Sequence, residues 1–180
     1  MTPPLASPST TSVAFARAKE QGRAALVGYL PAGYPTFKGA VEAIEAMIDA
    51  GCDIIEIGLP YSDPVMDGPT VAKAAQQSLD AGIRTGDVFR AVEAVANKAI
   101  PVVVMTYSNP VERYGVARFA ADLASAGGAG LITPDIIPEE AGEWIAAADD
   151  RGLDKTFLVA PSSTDQRLEL TVQACRGFIY

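Results

Sequence analysis

Six short apolar runs separated by helical patterns constrain the fold more than any other feature of this chain. The runs cover residues 25–30, 53–58, 101–106, 130–133, 156–160 and 177–180, and each is nearly continuous in Val, Ile, Leu or Phe. Apolar runs without alternation are what strands buried on both faces require, and such strands belong to parallel sheets. Between them, Phe37, Val41, Ile44 and Ile48 recur at helical spacing behind Thr36, an N-cap residue type, and Gly51 closes the helix. Thr70 is expected to cap a helix over 71–81 that ends at Gly82, and Thr85 the next, with Val88, Phe89 and Val92 on one face. Further helices are expected over 116–126 before Gly127-Gly128, over 139–150 with two acids at its start, and over 165–174 behind Thr164. Ser12 precedes a short helix over 13–21.

Repeated βα units build either a doubly wound sheet or a closed barrel. No G-x-G-x-x-G turn follows the first run, and Pro- and Gly-rich segments sit after strand ends, at 31–35, 60–69, 108–114, 134–138 and 161–164. In a βα barrel those loops form the catalytic face. The expectation is therefore an α/β fold of the (β/α)₈ TIM-barrel kind. Such barrels have about 250 residues and eight strands, whereas 180 residues hold six runs here and halt inside the sixth. The expected organisation is a flexible tail over 1–11 and one barrel domain over 12–180, truncated, with about six of eight strands. An open barrel of that kind exposes strand edges.

Composition narrows the chemistry. A hydrophobic content of 49% supplies a real core, and no apolar run is long enough to span a bilayer. The first residues lack the basic start and apolar stretch of a signal peptide, so the expected location is the cytoplasm. A net charge of −8 disfavours nucleic acid as a partner. It leaves room for a small phosphorylated substrate, because helix N-termini and backbone N–H groups hold phosphate without basic side chains. The chain contains no histidine. Ser-His-Asp and Cys-His catalysis are thereby excluded, along with the usual zinc sites. Cys52 and Cys175 read as small buried hydrophobes. Proton transfer near neutral pH falls to carboxylates, tyrosines or lysines.

Residues 53–70 carry the chemistry. Glu56 lies in a strand among isoleucines and shares a face with Ile54 and Gly58, so it points either into the barrel mouth or at the helix layer. A carboxylate in apolar surroundings is costly to ionise, which moves its pKa toward the range where it both gives and takes protons. The bland alternative is a glutamate paired with a buried Arg or Lys. Asp67 sits in Met-Asp-Gly-Pro, where Asp-Gly is also plain turn chemistry, as Asp63-Pro64 is. Together the two carboxylates could occupy different environments, one kept neutral and one ionised. A Mg²⁺ site is disfavoured because no third ligand is spaced for it.

The run Glu56-Ile-Gly-Leu-Pro-Tyr-Ser-Asp-Pro-Val-Met-Asp-Gly-Pro-Thr70 closely resembles the signature of the tryptophan synthase α subunit family. The resemblance continues at Gly33-Tyr-Pro35, at Met105-Thr-Tyr-Ser-Asn-Pro110 and at Asp135-Ile-Ile-Pro-Glu-Glu140, and covers nearly the whole chain from about residue 12. It implies a lyase of tryptophan biosynthesis that cleaves indole-3-glycerol phosphate to indole and glyceraldehyde 3-phosphate by a retro-aldol reaction. Carried onto matching positions, it makes Glu56 the general acid–base and Asp67 the acceptor of the indole N–H. Tyr107, Met105, Ile132 and Leu158 would line the indole pocket, although the three apolar residues read equally well as barrel core. Tyr180 would lie near the glycerol portion. Pro60, Asp63 and Asn109 would meet a β subunit in an α₂β₂ complex, whose pyridoxal phosphate belongs to that partner. The α subunit itself would need no metal or cofactor. The family's mobile loop and phosphate-binding loops follow the sixth strand, beyond Tyr180, so weak phosphate binding is expected of this chain. Two alternatives stay open: a non-catalytic partner that docks on and regulates a β subunit, and another phosphosugar barrel isomerase.

Overall fold

The structure, a computed structural model, describes residues 9–180. Five strands form one sheet: β1 Val27–Pro31, β2 Ile54–Gly58, β3 Val102–Met105, β4 Gly130–Ile132 and β5 Asp154–Thr156. Their order is β1-β2-β3-β4-β5, and every adjacent pair is parallel. A doubly wound sheet reverses its strand order at a switch point. This sheet never does, and its sequential order is that of a barrel wall.

Among the described residues eight α-helices accompany the strands: α1 Thr10–Glu20, α2 Phe37–Asp49, α3 Pro69–Asp80, α4 Thr85–Val95, α5 Ser108–Tyr114, α6 Val116–Ser125, α7 Gly142–Arg151 and α8 Asp165–Ala174. Two caps fall where the sequence puts them. Thr36 accepts from the Gly39 N–H at 3.0 Å and Thr164 from the Arg167 N–H at 3.3 Å. Others do not. Gly68 caps α3 and Pro69 takes its first position, where a missing N–H costs nothing, so Thr70 is already inside the helix. Thr85 begins α4 rather than capping it, and the Asp87 carboxylate accepts from the Arg84 N–H instead. Residues 138–140 form a turn, so α7 starts three residues after the expected position.

The tail expected over 1–11 needs correction at its end. Ser9 caps α1, accepting from the Ser12 N–H at 3.0 Å, and Thr11 is fully buried. Both the N–H and the hydroxyl of Thr11 donate to the Asp154 carboxylate on β5, and this tether brings residues 9–11 into the fold. Residues 1–8 of the expected tail lie outside the described residues.

Six strands were expected, and the described residues form five. The run 177–180 pairs too briefly to count as a strand: Tyr180 donates to the Phe157 carbonyl at 3.1 Å and accepts from the Val159 N–H at 2.9 Å. The fifth strand lies earlier than its apolar run, at Asp154–Thr156.

The two faces of the sheet differ. Ile55, Ile57, Val102, Val104 and Leu131 join Ile44, Val88, Val92, Phe119, Leu123 and Trp144 of the helices in the large core. The opposite face carries a small cluster of Ile54, Val103 and Ile132, flanked by Val27, Met105 and Leu158 and closed by Phe15 of α1 against Phe178 at 5.2 Å. That is the barrel interior. Among the described residues no helix is long and apolar enough to cross a membrane.

Candidate active site

Strand register decides where Glu56 points. Tyr29, Glu56, Val103, Gly130 and Asp154 align in one row, and Ile54 and Val103 on the same parity belong to the interior cluster. Glu56 therefore faces the inside of the curved sheet, opposite to the helix-packed Ile55 and Ile57. It is 3% exposed and, among the described residues, makes no ion pair or hydrogen bond. Burial alone raises its pKa to about 7. The alternative of a glutamate bound to a buried cation is thereby removed.

Asp67 lies in the loop between β2 and α3 and is half-buried. Burial raises its pKa, and the nearby Tyr107 hydroxyl opposes the rise. Tyr107, just past β3, is 3% exposed and accepts from the Met66 N–H at 2.9 Å. Its phenol is raised chiefly by burial.

Tyr29 joins the two carboxylates. Burial raises its phenol most, followed by the charges of Asp67 and Glu56. Its ring lies across Gly58: a Cβ there would stand 2.4 Å from the Tyr29 hydroxyl and 2.9 Å from the ring. Glycine at 58 is what lets this side chain reach over the strand that carries Glu56. Tyr180, 54% exposed, has its phenol raised first by Glu56. The site thus gathers Glu56, Asp67, Tyr29, Tyr107 and Tyr180. Met105 and Ile132 stand on the same inner face in the row of Gly58, the next inward row from Glu56 toward the loops, and Leu158, past the end of β5, packs on the same interior cluster, with Ile132 buried and the other two partly so.

Pro60, Asp63 and Asn109 stand apart from this cluster, on its outer rim. Pro60 is buried at the root of the loop, while Asp63 and Asn109 are exposed. Asn109 donates to the Tyr61 hydroxyl at 2.8 Å, and Ser62 donates to Asp63 at 2.6 Å. Beyond them Val65 and Met66 are 75% and 58% exposed.

A family model described as tryptophan synthase alpha chain matches residues 15–180. The chain belongs to the tryptophan synthase alpha chain family. The alpha chain of Salinispora arenicola is 60% identical over 172 residues, which cover 96% of this chain and 64% of that relative. The alpha chain of Mycolicibacterium paratuberculosis is 56% identical over 180 residues, covering all of this chain and 66% of the relative. The chain thus spans a little under two thirds of the length of these curated relatives. Tryptophan synthase from M. tuberculosis superposes with a TM-score of 0.94 at 55% identity, covering 97% of this chain and 70% of the other. The subunit alpha from Legionella pneumophila keeps a TM-score of 0.92 at 29% identity, covering 97% and 67%. The five sequential strands are those of the alpha-chain (β/α)₈ barrel.

Within this alpha-chain fold, sequence reasoning passed over Tyr29, Gly58 and Tyr61. Tyr29 had one available signal, a hydroxyl on the inward parity of an otherwise aliphatic strand. The crossing of Tyr29 over Gly58 had none, because it joins neighbouring strands.

Proposed function

We propose that this chain carries the acid–base pair of the alpha reaction of tryptophan synthase: retro-aldol cleavage of indole-3-glycerol phosphate to indole and glyceraldehyde 3-phosphate, a carbon–carbon lyase step in tryptophan biosynthesis. The observation that carries the reading is Glu56, an uncompensated carboxyl inside the barrel whose pKa of about 7 lets it donate and then recover a proton. Protonated Glu56 delivers its proton to the indole ring carbon bearing the glycerol chain. The resulting carboxylate takes the proton of the glycerol hydroxyl as the carbon–carbon bond breaks, and the bond's electrons return to the indole ring. Asp67 accepts the indole N–H and stabilises the positive charge that develops there. Met105, Ile132 and Leu158, with the ring of Tyr107, form an apolar wall for indole, and Tyr180 meets the glycerol portion. These steps use side chains of this chain alone and call on no cofactor.

Indole is neutral and apolar, so its direct transfer to a second enzyme limits its loss. Val65 and Met66, two exposed large apolar side chains on the loop that holds Asp67, suit docking of the pyridoxal-phosphate β subunit, with Pro60, Asp63 and Asn109 at the contact. The same reading sets the protein to work in the cytoplasm. Mixing the chain with indole-3-glycerol phosphate and following indole tests it. Release that disappears in Glu56→Gln, and falls in Asp67→Ala without loss of thermal stability, is the expected result. Absence of release together with altered β-subunit turnover would replace it with the non-catalytic docking reading.

A further inference from the structure

The candidate active site occupies one end of the barrel, and a second hollow lies at the other. Asp53 leads into β2, Pro101 into β3 and Ala129 into β4, so these strand starts gather opposite the loops that carry Asp67 and Tyr107. Between them and α1 lies a cavity of about 700 Å³, well within the size of small-molecule sites. α1 turns one stripe toward it: Thr10, Val13, Arg17 and Gln21 recur three or four residues apart. A helix stripe facing its own barrel ordinarily packs, yet Val13 stays 53% exposed, because the wall across from it is built of Ala96, Ala99, Gly127 and Gly128. Gly127 has no room for a side chain: a Cβ there would stand 2.8 Å from the Ala96 methyl. Ala99 is, among the described residues, the one non-glycine with positive φ, at 59°, a conformation in which even a methyl group is strained. Protein interiors close hollows of this size, since the lost contacts cost stability, and one large side chain at position 13 would narrow this one.

The charges around the cavity do not balance. Arg23 and Asp53 satisfy each other through two bonds, at 2.6 and 2.7 Å, and Asp53 also accepts from the Leu26 N–H at 2.8 Å. Arg17 acts on Asp53 only from a distance, and among the described residues it makes no ion pair or side-chain hydrogen bond. The surfaces beside it, from Ile48, Ile100 and Pro101, are apolar. We propose that this cavity is a second ligand site, which takes a small molecule with an apolar body and a single carboxylate. The body lies between Val13 and the alanine–glycine wall, and the carboxylate pairs with Arg17 at the exposed mouth. A dianion such as phosphate would meet one uncommitted guanidinium, too little to replace its water, and a cation would meet repulsion. The site lies apart from Glu56 and Asp67, so it stands independently of the function proposed above.

The probe is 2-naphthoate, with 2-naphthylmethanol as its uncharged counterpart. Titration of the full chain, followed through backbone amide shifts by NMR, is expected to move Arg17, Gly51, Ala99 and Gly128 and to give a Kd below about 1 mM. Arg17→Gln is expected to weaken naphthoate about tenfold and to leave the alcohol unchanged, since only the acid loses a charge-assisted bond. Val13→Trp, at an exposed helix position, is expected to abolish binding of both without lowering the melting temperature. Shifts confined to the surroundings of Glu56 and Asp67, equal losses of acid and alcohol in Arg17→Gln, or no binding at all overturn the proposal. Binding gained only when residues 1–8 are removed gives the cavity to the chain's own start and overturns it as well.

Discussion

Glu56 is a residue whose chemistry and whose cost come from the same cause. A carboxyl with a folded-state pKa of about 7 against an ordinary 4.5 is proton-bound in the folded chain where the unfolded chain is ionised. Below about pH 4.5 both states hold the proton and the residue is neutral in its effect. Between there and pH 7 the unfolded state gains, and stability falls, levelling off above. Glu56→Gln, which keeps the shape and removes the titration, is therefore expected to stabilise the protein near pH 8 by up to about 3 kcal/mol and to change little near pH 4. Thermal melts at the two pH values check this, and equal effects at both would contradict it. Sequence alone placed Glu56 on a strand and joined it to Asp67, but left its direction open, since a strand with apolar neighbours on both sides has no polar face to orient it.

At the scale of elements, β5 is the instructive case. All three of its residues, Asp154, Lys155 and Thr156, are polar and buried. Asp154 accepts from Thr11 of α1, and Lys155 pairs with Asp149 of α7. Those partners lie on other elements, so the strand is invisible to a search for apolar runs, and the strand expected over 156–160 shares only Thr156 with it. Helix α5 was missed for a similar reason: its start is held by Asp135 from the next loop rather than by a local cap. The tether between α1 and β5 supports a prediction. Asp154→Ala leaves the buried Thr11 hydroxyl and N–H without their acceptor, and is expected to cost about 2–4 kcal/mol. Chemical denaturation measures the loss; a change under about 0.5 kcal/mol would show that α1 docks through Phe15 and its neighbours alone.

For the whole molecule, the sheet is deeply covered: every residue of β2, β4 and β5 is buried, and β2 and β3 are also paired on both sides. The loop over 61–68 that carries Asp67 is largely exposed. Local opening follows that gradient. Hydrogen exchange is expected to be slowest at β2 and β3 and fastest along that loop, apart from Met66, whose N–H is bound by Tyr107. Uniform protection across loop and strands would contradict it.

Periodicity, caps and composition determined on their own that strands and helices alternate, that the sheet is parallel, and that, without histidine, proton transfer near neutral pH falls to carboxylates, tyrosines or lysines. These are local properties, written within a few residues of each other. Only the tertiary structure decided that Glu56 faces inward, that Tyr29 crosses Gly58, that Tyr107 binds the Met66 N–H of the loop carrying Asp67, and that Asp-Lys-Thr is a strand. Each of those is a contact between segments far apart in the chain, formed because a curved sheet brings the ends of neighbouring strands together.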